Sequence, residues 1–130
     1  MDCEKQEKIL YKGECFKIQG ALYEVYKEMG PGFLESVYQE CVEIEFSRKA
    51  IPFEPQKELR IWYTDKMLEQ YFKVDFICYG KILIELKAIS ELEDIHRAQV
   101  LNYLRATRLR LGLLVNFCSH PKIMIERIAL

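Results

Sequence analysis

Two carboxylates and a lysine stand out in an otherwise largely apolar stretch of the chain, residues 73–88. The stretch predicts two β-strands joined by a turn at Gly80. Asp75 lies on the first strand, and Glu85 and Lys87 lie on the second. In a hairpin centred on Gly80, positions 75 and 85 face each other about 5 Å apart at Cβ. Two negative charges at that distance repel unless a cation lies between them, and Mg²⁺ prefers carboxylate oxygens as ligands. The sequence therefore predicts a divalent-metal site on this hairpin.

The predicted metal site requires one particular register of the hairpin. A strict two-residue turn that includes Gly80 would pair Asp75 with Ile84 and leave the site without its second carboxylate. We expect instead an odd-numbered loop centred on the glycine, or a bulge, which sets Asp75 opposite Glu85.

Four other polar residues are candidates to complete this site. Lys87 shares a strand face with Glu85 and is placed to hold or activate a water molecule beside a phosphorus atom. Glu35 is placed to complete the metal's ligands, directly or through water, although a helix dipole also favours a carboxylate in the first turn. Gln99 and Tyr103 are placed to position the lysine and the phosphate. With a metal ion such a set hydrolyses phosphodiesters, because the ion activates the water and stabilises the developing charge.

Hydrophobic periodicity and turn residues predict an α/β sandwich on a mixed sheet. The order is helix, helix, three antiparallel strands, helix, strand, strand. The helix after the hairpin is the crossover that lets the next strand run parallel to a hairpin strand. The predicted helices cover residues 4–29, 33–49 and 90–107, and the predicted strands cover residues 57–63, 67–78, 82–88, 113–117 and 123–128.

The same patterns predict which faces are buried. The buried stripes are expected to be Ile18, Leu22, Val25 and Met29 on the first helix, and Leu34, Val37, Cys41 and Ile44, with Arg48, on the second. Tyr38 is expected to be half-buried. Ser90 and Glu93 form a capping-box pattern, which predicts Ser90 as the N-cap of the third helix. One face of the second strand is expected to carry Leu68, Phe72, Val74, Phe76 and Cys78.

The composition indicates one globular domain, residues 1–130, whose first dozen residues are expected to fray. No apolar run reaches the roughly 18 residues of a membrane span, and the charged N-terminus is unlike a signal peptide. We therefore expect a cytoplasmic protein with no membrane partner. The five cysteines are odd in number and form no Cys-x-x-Cys pair, which argues against a disulfide framework and a zinc cluster. His96 is expected to cap or pack, and His120 to be exposed.

The charge is unevenly distributed along a chain whose net charge is −1. Residues 97–130 carry six basic side chains against one acidic side chain. This distribution permits a local basic surface in the C-terminal third of the chain.

Three short motifs resemble those of a known family. One heptapeptide is similar to the signature of the GxxExxY proteins, a branch of the PD-(D/E)XK nuclease-like superfamily, and reads Gly32-Phe33-Leu34-Glu35-Ser36-Val37-Tyr38. The D…ExK core of that superfamily resembles Asp75 followed by Glu85-Leu86-Lys87. The QxxxY motif of RecB-type nucleases is similar to Gln99-x-x-x-Tyr103. The resemblance extends over nearly the whole chain, and Val74 stands where the superfamily often has proline.

The resemblance implies a restriction-endonuclease-like core, with a mixed β-sheet flanked by helices, and dependence on Mg²⁺ or Mn²⁺. The candidate metal ligands are Asp75, Glu85 and Glu35. The candidate catalytic residues are Glu35, Asp75, Glu85, Lys87, Gln99 and Tyr103.

The favoured function is a metal-dependent phosphodiesterase, a nuclease that acts on nucleic acid, with DNA expected ahead of RNA. One alternative is a non-catalytic nucleic-acid-binding module on the same fold, against which the presence of all six candidate residues argues. Another is a protein-interaction module, which the near-neutral charge and small size favour. Because specific DNA interfaces bury roughly 1,000–2,500 Å² of protein, a homodimer or a protein partner is also expected.

Overall fold

The structure, a computed structural model, describes residues 9–130 of the chain. Its helices are α1 (Lys12–Met29), α2 (Glu35–Arg48) and α3 (Asp94–Thr107), and its strands are β1 (Phe53–Tyr63), β2 (Lys66–Cys78), β3 (Ile82–Lys87), β4 (Leu111–Asn116) and β5 (Met124–Ala129). This order confirms the predicted one. The first predicted helix begins at residue 4, and its part before residue 9 lies outside the described residues.

The strands form one mixed sheet in the order β1-β2-β3-β4-β5. Only β3 and β4 are parallel, and the other neighbouring pairs are antiparallel. As predicted, α3 is the crossover that connects the two parallel strands. It approaches the sheet closely at Gly112 of β4, where a Cβ atom would lie 2.7 Å from Cγ1 of Val100. Glycine therefore permits the helix to rest directly on the strand.

Two hydrophobic cores lie on opposite faces of this sheet. Helices α1 and α2 cover one core, to which β3 contributes Ile82, Ile84 and Leu86. Helix α3 covers the other core, to which β3 contributes Leu83. This alternation is the one predicted for a strand buried on both faces. The first helix also buries its predicted residues Ile18, Leu22 and Val25.

The buried stripe predicted for α2 is wrong in phase. Leu34 is 75% exposed and Ile44 is 49% exposed. The helix instead buries Tyr38, Val42 and Phe46. Tyr38, expected to be half-buried, is fully buried and stacks on Phe117 with 4.3 Å between ring centroids. Helix α2 is rotated from its predicted orientation because burying large aromatic rings removes more apolar area from water than burying smaller side chains.

The single face predicted for β2 is also wrong, because the strand changes faces near Asp75. Phe76 and Cys78 belong to the core under α1 and α2, whereas Phe72 and Val74 pack with the core under α3. The opposite position on β1 is Gln56, whose φ of 48° is left-handed. A left-handed residue inside a strand rotates the chain that follows it. The outer part of the β1–β2 hairpin consequently leans over α3.

The third helix begins four residues later than predicted. Its N-cap is Glu93 and not Ser90: the Glu93 side chain accepts from the backbone of His96, and the Nδ1 atom of His96 accepts from the Glu93 backbone at 2.9 Å. Before the helix, the fully buried Asn116 hydrogen-bonds both backbone groups of Ile89. These bonds hold the chain extended beyond β3, so it cannot yet turn into a helix. His96 therefore caps, as expected, and His120 is exposed.

Within residues 9–130, the structure contains no helix that is both long and apolar enough to cross a bilayer. Cys15, Cys41, Cys78 and Cys118 are free thiols. Cys3 lies outside the described residues.

Candidate active site

The β2–β3 hairpin has the register that the predicted metal site requires. The paired residues are Cys78 with Ile82, Ile77 with Leu83, and Phe76 with Ile84. Asp75 and Glu85 are therefore the next residues in register. Tyr79, Gly80 and Lys81 lie beyond the last pair, and the φ angles of Tyr79 and Gly80 are positive, at 56° and 68°. The connection is the odd-numbered loop centred on Gly80 that the sequence predicts.

The side chains of Asp75 and Glu85 hydrogen-bond across the two strands just beyond these pairs. The backbone N–H of Asp75 donates to Oε1 of Glu85 at 3.0 Å, and the N–H of Leu86 donates to Oδ2 of Asp75 at 2.7 Å. Each carboxyl group thus accepts a backbone hydrogen bond from the partner strand, which fixes the position of both. Oε2 of Glu85 accepts no hydrogen bond from the described residues.

Burial and neighbouring negative charge raise the pKa of both carboxyl groups. Burial first, and then the charge of Asp75, raise the pKa of Glu85 from 4.5 to about 8. Burial also raises the pKa of Asp75, and hydrogen bonds from Leu86 and Gln56 oppose that rise. The charge of Lys87 lowers both pKa values only in part. The pair therefore favours an additional positive charge, whether a proton or a cation.

Lys87, Gln99 and Tyr103 come together beside this pair, as the sequence predicts. The Nζ atom of Lys87 donates to Oε1 of Gln99 at 3.2 Å. One turn further along α3, the ring of Tyr103 stacks on Phe72 with 4.1 Å between centroids. Burial, followed by the charges of the two carboxylates, raises the pKa of Tyr103 to about 12. Its hydroxyl therefore stays protonated at neutral pH and can donate a hydrogen bond.

Glu35 lies in the first turn of α2 and is exposed. Its negative charge contributes to the raised pKa of both Asp75 and Glu85. Glu35 makes no hydrogen bond or ion pair with either carboxyl group among the described residues, so its influence on them is electrostatic only.

The turn before α2 explains why Gly32, Glu35 and Tyr38 occur together. The Tyr38 hydroxyl donates to the carbonyl of Gly30 at 2.5 Å and accepts from the N–H of Phe33 at 3.3 Å. Gly32 has a φ of 108°, which favours glycine. The glycine and the tyrosine thus fix the turn that sets the start of α2, and with it the position of Glu35.

The chemistry of the donor set fits a hard divalent cation. Asp75 and Glu85 supply carboxylate oxygens, and Oε2 of Glu85 is free of hydrogen bonds from the described residues. Within residues 9–130, however, no three His, Cys, Asp or Glu side chains are grouped closely enough to hold an ion. The structure therefore joins two of the three predicted ligands, and Glu35 acts on them through its charge.

Two glutamines that the sequence analysis did not identify hold Asp75 from either side. Nε2 of Gln56 donates to Oδ1 of Asp75 at 3.3 Å. Nε2 of Gln39 donates to the backbone carbonyl of Asp75, also at 3.3 Å, while its Oε1 is buried without a hydrogen-bond partner among the described residues. A signal for Gln39 was present, since it lies four residues after Glu35 on the same helix face. An isolated amide such as Gln56 gives no periodic signal.

The architecture and this site together define a class of protein. A mixed five-stranded sheet covered by helices on both faces, with an aspartate and a Glu-x-Lys sequence on adjacent strands, is the restriction-endonuclease-like fold. The family model of the PD-(D/E)XK nuclease superfamily matches residues 12–128, and the chain belongs to that superfamily.

Comparison with solved structures supports the fold. The structure entitled "Crystal structure of SSO0001" is similar, with a TM-score of 0.54, 20% sequence identity and coverage of 72% of this chain. The match covers 48% of that chain, so this protein spans about half of its length. No curated protein matches the sequence.

Proposed function

We propose that this protein is a divalent-metal-dependent nuclease that hydrolyses phosphodiester bonds in DNA, or in RNA. The observation that carries the proposal is the pair formed by Asp75 and Glu85, which are held together by backbone hydrogen bonds although burial, and then their proximity, raise the pKa of Glu85 to about 8. A fold that holds two carboxylates together at such a cost is typical of a functional site. Membership of a nuclease superfamily agrees with this role.

Asp75 and Glu85 are the residues proposed to hold the metal ion, with Glu35 acting through an intervening water. When bound, Mg²⁺ or Mn²⁺ supplies charge neutralisation and a more acidic water. Asp75 is oriented for this role by the side chain of Gln56 and by the backbone N–H of Leu86.

The remaining candidate residues are proposed to bind the substrate. Lys87 orients a water or a phosphate oxygen near the reacting phosphorus atom, and Gln99 positions the lysine through their 3.2 Å hydrogen bond. Tyr103, whose hydroxyl remains protonated, donates a hydrogen bond to a phosphate. Such preorganised donors stabilise the charge that develops in the transition state.

A non-catalytic nucleic-acid-binding module is the second candidate. The absence of a three-ligand cluster among residues 9–130 favours it, because such a module needs the fold and not the ion. The two candidates differ in one result, because only the nuclease cleaves the nucleic acid that it binds.

Finer assignments are part of the proposal. The geometry of Gly32, Glu35 and Tyr38 supports membership of the GxxExxY branch. We also propose a single domain over residues 1–130, and action as a homodimer or with a protein partner because of the small size. A cytoplasmic location is proposed because the described cysteines are free thiols, which are typical of reducing compartments.

The test is a cleavage assay on end-labelled single-stranded and duplex oligonucleotides, titrated with Mg²⁺ or Mn²⁺. We expect cleavage that requires metal and stops with a chelator. The control variant is Asp75→Asn, which keeps an oxygen acceptor for Leu86 N–H but loses the negative charge. Retention of the oligonucleotide without any cleavage would favour the binding module.

A further inference from the structure

An open groove runs from the candidate active site along α3 and under the outer part of the β1–β2 hairpin. Its larger part has a volume of about 780 Å³ and lies between the hairpin and the C-terminal half of α3. A second cleft of about 510 Å³ contains Lys87 and Gln99. The two share Phe72, Asn102 and Tyr103 in their walls. The groove is therefore continuous with the residues proposed to bind the reacting phosphate.

The larger part of the groove is positively charged. Within residues 9–130, its wall contains three arginines, Arg60, Arg105 and Arg108, and no Asp or Glu. Arg60 is partly engaged, since it pairs with Glu58 at 3.0 Å. In the part of the chain that the structure describes, Arg105 hydrogen-bonds only the neutral side-chain amide of Asn102, at 3.2 Å. Among the described residues no carboxylate pairs with Arg105 or Arg108. These charges match a polyanion that passes through the groove.

Arg108 occupies a position where a helix usually has glycine. It is the C-cap of α3 and has a left-handed φ of 61°. Glycine adopts that conformation without strain, whereas other residues do so at a cost. The backbone therefore gains nothing from arginine here, while the side chain adds a positive charge to the groove wall.

Aromatic rings lie beside these charges in the groove wall. Trp62 is 61% exposed on the hairpin, and the half-buried stacked pair of Phe72 and Tyr103 lies where the two clefts meet. An exposed ring beside arginines, as Trp62 is here, favours single-stranded nucleic acid, because an unpaired base stacks on the ring while the cations contact the phosphates. In a duplex the faces of the bases are already stacked on one another and cannot reach such rings.

We infer that this groove binds single-stranded polynucleotide and guides it to the active site. The inference rests on the proposed nuclease function, which it deepens by naming the form of the substrate. The nine residues from Gln99 to Thr107 span about 12 Å of helix. That length accommodates about three nucleotides at a stacked spacing of 3.4 Å.

The test measures binding in a chelator, so that it does not depend on cleavage. Trp62 is the only tryptophan in the chain, so its fluorescence reports directly on the groove. We expect an oligothymidylate of about 12 nucleotides to quench the Trp62 fluorescence, and we expect the same of an oligouridylate of equal length. Duplexes that contain these strands should bind more weakly. We expect each of the three arginines to contact one phosphate. A plot of the logarithm of the affinity against the logarithm of the salt concentration should then have a slope of about −2.

Variants separate binding from folding. Arg108→Gly should keep or raise the melting temperature, because glycine suits the C-cap, yet weaken binding several-fold. Arg105→Ala should do the same to binding and reduce the salt slope by about 0.7. The matched control is Arg48→Ala, an exposed arginine on α2. Trp62→Ala should weaken binding by about fivefold or more, measured by the fluorescence anisotropy of a labelled oligonucleotide. Phe16→Ala, which removes an exposed ring on α1, should not weaken it.

Several results would overturn the inference. The first is tighter binding of duplex than of single strand, and the second is equal binding by the groove variants and the wild type. The third is a homodimer that Trp62→Ala dissociates but that added oligonucleotide does not affect. Cleavage without dependence on the groove would refute this inference alone. Groove-dependent binding without cleavage would refute the nuclease proposal and leave the binding site in place.

Discussion

Replacing Glu85 by glutamine should remove the loss of stability that the metal-free protein undergoes as the pH rises. In the folded state, burial and then the charge of Asp75 raise the pKa of Glu85 from 4.5 to about 8. Between these values the folded protein keeps a proton that the unfolded chain releases. The stability that this proton provides is complete below the unfolded pKa and is lost as the pH rises to about 8. The full difference corresponds to about 5 kcal/mol.

Glutamine removes the charge but keeps an oxygen that can accept from the N–H of Asp75, a bond of 3.0 Å in the wild type. Stability of Glu85→Gln should therefore match the wild type near about pH 4 and exceed it by several kcal/mol near about pH 8.5. A saturating divalent cation should flatten the wild-type profile, because the bound carboxylate is ionised throughout.

Urea denaturation across this pH range, with and without metal, measures both effects. The matched control is Glu69→Gln, an exposed carboxylate on β2 that should retain the wild-type slope. The reasoning is refuted if Glu85→Gln keeps the wild-type slope, or if it is the less stable protein at high pH.

Three further predictions follow from the same structure. Asp75→Asn should abolish the rise in melting temperature that metal gives the wild type, and an unchanged rise would remove Asp75 from the metal site. Gly112→Ala should lower the free energy of unfolding by about 1–3 kcal/mol in urea denaturation, because its Cβ would lie 2.7 Å from Val100. Adding Val100→Ala should recover part of this loss. Simple addition of the two single-variant losses would contradict the close approach. Asn116→Ala should cost about 1–3 kcal/mol by leaving the backbone of Ile89 unpaired, and a neutral effect would show that water replaces the amide.

The sequence predicts the centre of this protein well for a physical reason. Strand alternation and one turn are local properties, so the spacing of Asp75 and Glu85 around Gly80 predicts their register, and the structure has that register. The crossover helix follows from chain geometry in the same way. Lys87 and Gln99 lie on different elements, yet their hydrogen bond could be anticipated because the crossover returns α3 over β3.

Features that depend on tertiary packing are not predictable by these means. The phase of α2 is decided by the stacking of Tyr38 on Phe117, 79 positions along the chain, and the ring has no local signal. The change of face in β2 follows from the left-handed φ of Gln56 on the neighbouring strand. The delayed start of α3 depends on hydrogen bonds from Asn116 to Ile89. In each case a distant partner outweighs the local propensity.

The most direct measurement of the central claim compares Lys87→Ala with the wild type in two assays on one preparation: metal-induced stabilisation and cleavage of a single-stranded oligonucleotide. The claim assigns metal binding to the carboxylates and positioning of the reacting groups to Lys87. We therefore expect Lys87→Ala to retain the metal-induced rise in melting temperature and to lose cleavage by about 100-fold or more. Lys17→Ala, an exposed lysine on α1, should match the wild type in both. Full cleavage by Lys87→Ala, or a wild-type melting curve that metal does not move, would contradict the claim.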